Sequence, residues 1–261
     1  MTSRTMPRRL TEAILRRDRP ILLAGIAALS LLSWVCLYRM TAGADGTHAH
    51  TAHAHAGAPT FGLAFAMWTV MMVAMMLPSV SPFVLCFAAV HRQRKSENLP
   101  HVSTGIFLGG YFTVWIAFSA FAALVQLALH RMALLSSTLT ATSSLFAGGL
   151  LVAAGVYQWT PLKNSCIRHC RSPLGFLLGD WRDGSWGALR MGAEHGIFCL
   201  GCCWFLMLLP FAAGVMSLLW MAVLTGFILI EKTIPGGDRA CRVAGVVLVI
   251  GGVVLILSAL R

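Results

Sequence analysis

Five residues with soft or borderline ligand atoms recur at spacing four in a strongly apolar stretch: Met191, His195, Cys199, Cys203 and Met207. Residues four apart on a helix lie one above the other, so these five form a single, slowly winding stripe. At helical rise the stripe climbs roughly 24 Å, most of a bilayer core of about 30 Å. Cys202 and the ionisable Glu194 stand close to the same side. Thiol, thioether and imidazole together suit a soft transition metal, Cu+ above all. The competing reading is packing, since free Cys behaves as a small hydrophobe and Met as a flexible gap-filler.

Three further groups could carry related chemistry. Met67, Met71 and Met75 repeat at the same spacing ahead of Pro78 and Pro82. Thioethers are neutral, so an empty thioether site costs little to bury, and they select Cu+ over hard cations. The two prolines are expected to bend or break that helix and free backbone carbonyls. Cys166 and Cys170, with His169 beside them, suggest a metal or redox cluster in a basic loop; cationic neighbours there favour thiolate. His48, His50, His53 and His55 form a short tract separated by Ala and Thr, the composition of a divalent-metal or Cu2+ collector. Each group has a plain alternative: a Met-packed kink, an ordinary basic loop, a polar linker. For Glu194 it is an ion pair with Arg190 one turn away.

These groups need elements to hold them, and composition says which. Of 261 residues 57% are apolar and only 11% charged, which places the chain among integral membrane proteins. The net charge of +11 does not indicate nucleic acid, because the basic residues cluster between apolar runs in the positive-inside pattern. The eight Cys show no disulfide-framework spacing and read as thiols or ligands. The fold class expected is all-α, a polytopic bundle of about seven spans: 21–38, 61 to about 90, 105–129, 139–159, 185–209, 215–230 and 243–260. An arm over residues 1–19 precedes the transmembrane domain of 20–261, and an outer loop over 41–60 carries the His tract. The Arg-rich start resembles a signal peptide, but the run after it is as long as a full span and no cleavage site is convincing, so it reads as a retained helix. With the N-terminus inside and the C-terminus outside, 16 of the 20 Lys and Arg fall on the inner side.

A weak internal repeat overlies this order. Met67, Met71 and Met75 precede Pro78 as Cys199, Cys203 and Met207 precede Pro210. Ala147-Gly148 with Gly155 matches Ala244-Gly245 with Gly252. Spans two to four and five to seven would then be inverted three-helix halves, an arrangement used by many transporters.

The chain resembles a bacterial family known as domain of unknown function 2182, described as predicted metal-binding integral membrane proteins. The likeness rests on Met67-Trp68 with Met71, Met75-Met76 and Pro78, and on Tyr157-Gln158, Pro161, Lys163, Cys166 and Cys170-Arg171. It continues in Gly196, Cys199, Gly201-Cys202-Cys203-Trp204, Met207 and Glu231-Lys232, so it spans about residues 61–232. It implies a multi-pass inner-membrane protein that binds metal and carries no established reaction. The His-rich loop lies outside the pattern.

Together these observations point to a non-enzymatic protein of the bacterial inner membrane that handles copper, as Cu+, for transport or for delivery to a periplasmic or membrane cuproenzyme or metallochaperone. The outer histidines would collect, the Met and Cys stripes would face each other, Cys166 and Cys170 would receive, and Glu194 and His195 would couple protons. No Walker-type Gly-x4-Gly-Lys and no Asp-Lys-Thr-Gly is present, so transport would be gradient-driven. Two rivals stand beside this reading. One is a thiol–disulfide relay that pairs Cys199, Cys202 or Cys203 with a thiol such as Cys86. The other is a scaffold subunit whose Met and Cys only pack.

Overall fold

The computed structural model describes residues 8–45, 60–97, 102–135, 141–179, 181–215, 217–234 and 237–260. They are almost wholly helical. The long elements are α1 (Arg8–Asp45), α2 (Phe61–Ser96), α3 (Thr104–Arg131) and α4 (Ser144–Tyr157). The short α5 (Pro161–Arg171) and α6 (Pro173–Gly179) lead into α7 (Gly184–Leu208), and α8 (Pro210–Ala213), α9 (Leu218–Thr233) and α10 (Gly237–Ala259) complete the bundle. The arm joins the first span without interruption, since α1 is already helical at Arg8. The tract His48, His50, His53 and His55 lies outside the described residues.

Among the described residues, five helical stretches are long and apolar enough to cross a membrane: Arg19–Ala42, Phe61–Arg94, Thr104–Arg131, Gly184–Ala213 and Gly237–Ala259. Ser144–Tyr157 with Pro161–Arg171 makes a sixth candidate, bent by 64° at the break. This count is roughly compatible with the expected bundle of about seven spans, one of which is shorter than the rest. Helix α9 has 16 residues, about 24 Å of rise against a core of about 30 Å. The segment read as a basic loop after residue 159 is corrected, because it is a helix. Thr160 accepts a hydrogen bond from Lys163 N at 3.3 Å, and Pro161 occupies the first turn, where no N–H is needed.

Helix α2 runs unbroken through Pro78 and Pro82, so of the expected bend or break there is no break. Each proline removes the N–H that would reach the carbonyl four residues back. Both carbonyls have replacement donors: Ser30 Oγ of α1 donates to Ala74 O at 3.3 Å, and Ser81 Oγ donates to Pro78 O at 2.8 Å. Pro210, by contrast, opens the separate helix α8. The two prolines sit differently: Pro78 lies inside α2, whereas Pro210 follows a one-residue turn at Leu209 within the stretch Gly184–Ala213.

The glycine half of the repeat has a different outcome. Helices α4 and α10 pack antiparallel with Gly148 against Gly252 and Gly155 against Gly245, and an added Cβ at any of the four would strike the facing helix. Exchange of the two helices maps one contact onto the other, so this pair has a local two-fold axis across the helices. Helices α3 and α7 approach as closely: a Cβ on Gly110 would run into the Leu189 carbonyl, and one on Gly192 into that of Phe107. Small residues at such contacts allow backbone-to-backbone packing without a hydrophobic drive, as lipid demands. That contact fixes which face of α7 turns inward.

Candidate metal-handling site

Helix α7 buries its entire ligand stripe. Met191, His195, Cys199, Cys202, Cys203 and Met207 all face the interior of the bundle. The lower end has a structural duty, since the Met191 sulfur accepts the Arg182 backbone N–H at 3.3 Å. Glu194 is half-exposed and pairs with Arg190 at 3.0 Å and Arg182 at 3.1 Å, so the ion-pair reading of that residue holds.

Cys199 is the centre of the site. Its Sγ lies 2.9 Å from Lys232 Nζ on α9 and 3.1 Å from the Tyr111 hydroxyl on α3. Its backbone carbonyl accepts from the thiols of Cys202 and Cys203, at 3.0 Å each. Cys170 of α5 is near enough to interact with Cys199 and Cys202. Four thiols from two helices thus share one neighbourhood, with a tyrosine and a lysine turned toward them. All eight cysteines are free thiols. Among the described residues, no three His, Cys, Asp or Glu side chains converge on a single ion-sized point.

The approach of Lys232 is held from the far side of α9. Its neighbour Glu231 forms a fully buried ion pair with Lys163 of α5, at 2.7 Å. The Glu231 carbonyl accepts from Arg171, which also pairs with Asp238 at 2.6 Å. Adjacent helix residues point about 100° apart. With Glu231 clamped toward α5, Lys232 is turned toward α7. There the ammonium touches the Cys199 thiol and the Ser79 hydroxyl, at 2.9 and 3.4 Å.

Helix α2 supplies the wall opposite α7. The Phe83 ring stacks on His195 with centroids 3.7 Å apart, and Trp68 lies 5.2 Å from Phe211 just beyond the end of α7. His195 Nδ1 is buried with no partner among the described atoms. These contacts set an antiparallel register in which Met75 stands level with Cys203 and Met71 level with Met207. Level is not facing, however. At about 100° per residue, Met76 and Met72 lie within about 20° of the Phe83 direction and Met75 within about 20° of the Trp68 direction, whereas Met71 is about 60° or more from both. Met67, Met71 and Met75 are buried, and so are Met72 and Met76. The Met76 sulfur is 3.9 Å from Ser79 Oγ, beside the lysine.

The remaining sequence candidates divide. Cys166 packs against Gly201 of α7, where a side chain would not fit, and Cys170 lines a cavity with Lys232 and His195. His169 turns away and stacks on Phe198, with centroids 4.1 Å apart. Cys86 is half-buried on α2 and takes no part in the thiol cluster described above. The spacing argument missed Tyr111, Lys232, Ser79, Phe83 and Met76. Lys232 carried one signal, its place in the Glu231-Lys232 pair of the resemblance; Tyr111 carried none that separates it from any aromatic in a span.

A family model described as a copper chaperone, PpoB2, matches residues 65–255. No curated protein matches the chain, and no solved structure does.

Proposed function

The chain belongs to the PpoB2 copper chaperone family, and from that premise we propose that it carries Cu+ on Cys199, with Cys203, Cys202 or Cys170 as the second thiolate. The observation that supports this site best is the Lys232 ammonium 2.9 Å from the Cys199 sulfur. Two thiolates on Cu+ leave a net negative charge, which is costly in an apolar interior unless a cation stands beside it. Lys232 is that cation. Two or three soft ligands satisfy Cu+, and the Met76 thioether, next to Ser79, is the nearest neutral candidate for the third.

The helix bundle sits in the bacterial inner membrane, with its N-terminus inside and its C-terminus outside. Helix α9 completes the seventh crossing, its charged end sheltered by protein rather than lipid. His48, His50, His53 and His55 collect copper on the outer side. Cys170 takes part at the inner end of the site, and Cys166 supports it against α7. The ion goes to a cuproenzyme under assembly or across the membrane.

The test is copper content together with a thiol count. Protein purified in detergent under reducing conditions and loaded with Cu+ should hold copper with its thiols unoxidised. The Cys199→Ser, Cys203→Ser double variant should elute as a folded protein without copper. Copper retained by that variant would refute the site, and a disulfide found in place of copper would establish the electron-relay reading instead.

A further inference from the structure

Beside the thiols lies a cavity of about 190 Å³. Ser79, Phe83, Cys170, Arg171, His195 and Lys232 line it, with Thr233 among its remaining lining residues. Its charged lining residues are both cations, and no Asp or Glu lines it. Lys232 forms no ion pair with a carboxylate among the described residues, because its neighbour Glu231 is committed to Lys163. The cavity thus presents an ammonium, a guanidinium and a thiol to whatever enters. Its volume equals about six waters at about 30 Å³ each. No three His, Cys, Asp or Glu side chains among the described residues form a closed metal site beside it.

We propose that this cavity binds a small external thiolate bearing a carboxylate, of about the size of free cysteine, and that Cu+ enters and leaves as a complex with it. The proposal rests on Cys199 as the anchor thiolate. The thiolate of the guest reaches the ion from the cavity, and its carboxylate meets Lys232, since Arg171 is engaged by Asp238 and the Glu231 carbonyl. Loading is a ligand exchange without redox change. A bis-thiolate complex of Cu+ meets the thiolate of Cys170, the cysteine among the cavity's lining residues; one copper–sulfur bond to the donor breaks, one to Cys170 forms, and one donor thiolate departs. Charge is the same on both sides, one anionic complex and one thiolate. The second donor thiolate stays in the cavity until a second cysteine of the protein replaces it. Unloading reverses the steps, so the protein can release an ion that its own thiols would otherwise retain.

The test uses the full chain in detergent and follows the thiolate-to-Cu+ absorption after mixing with Cu+ buffered at one activity by different thiols. With cysteine, loading should saturate and run about tenfold or more faster than with cysteamine, which lacks the carboxylate, as loss of a charge-assisted contact implies. Glutathione, too large for the cavity, should load no faster than cysteamine. Thr233 is exposed at the rim, and Thr233→Trp should slow the cysteine route about tenfold by the same measure while leaving the copper bound at equilibrium unchanged. Equal rates for cysteine and cysteamine, or no effect of Thr233→Trp on the cysteine rate, would overturn the pocket and leave the Cys199 site standing. Absence of bound Cu+ under every condition would overturn both.

Discussion

Two sulfur stripes of the same spacing, on α2 and α7, end in different company. Cys199 of α7 meets the Lys232 ammonium and the Tyr111 hydroxyl, each brought from another helix. Met67, Met71 and Met75 of α2 are buried in the same apolar cluster as the α7 cysteines, but their sulfurs make no hydrogen bond to a side chain of another helix among the described residues. Periodicity places a stripe on one side of a helix. Chemistry depends on what the other helices bring to it. The winding at spacing four matters as well: it carries Met71 about 60° from the Trp68 direction and about 120° from the Phe83 direction, while Met76, outside the stripe, stays within about 20° of Phe83.

The comparison breaks most easily at Cys199. Loss of an outer partner of a metal ligand typically costs about 10–100-fold in affinity. Loss of the proposed ligand itself, in Cys199→Ser, should exceed that and leave Cu+ binding undetectable in a competition assay with a Cu+ chelator. An unchanged affinity would put α7 in the same class as α2. Lys232→Met comes next. It removes the charge beside the thiolates yet keeps the length of the side chain, so Cu+ affinity should fall about 10–100-fold with the helix content by circular dichroism intact. Tyr111→Phe removes one hydrogen bond to Cys199, worth about 1 kcal/mol, so a loss of about fivefold is expected in the same assay.

Much of the architecture was legible because hydropathy and charge order act on long segments. All six of the longer expected spans fall on helical stretches, and the glycines at 148, 155, 245 and 252 marked a helix contact that the structure contains. The elbow at Thr160-Pro161 was missed although it carries a helix-start signal, because its basic residues were counted as a loop. The continuity of α2 was hidden for another reason: the donor that rescues Ala74 O is Ser30, 44 residues away. The site was legible by half. Cys199 and its neighbours share one helix, so local spacing found them, whereas Tyr111 and Lys232 reach Cys199 from 88 and 33 residues away. Beyond its place in the Glu231-Lys232 pair, Lys232 enters the positive-inside count, where a lysine that enters the protein and one that faces the cytoplasm look the same.

The smallest expected effect is the one that isolates the comparison. Met71 is level with Met207 in the register of α2 against α7, is buried, and lies off the α7-facing side by helical phase. Leu matches Met closely in volume, so Met71→Leu should cost less than about 1.5 kcal/mol in stability. It should also leave Cu+ affinity within about twofold of the parent. Met76→Leu makes the same chemical change five residues on, but beside Ser79 and the lysine, and there a loss of about threefold to tenfold is expected if the thioether completes the ion's ligands. Both variants keep the span apolar and the helix intact, so a difference between them reports the position of the sulfur rather than the fold. Equal losses at both positions would mean that copper samples the whole α2 stripe, and the distinction between a stripe that packs and a stripe that binds would fail.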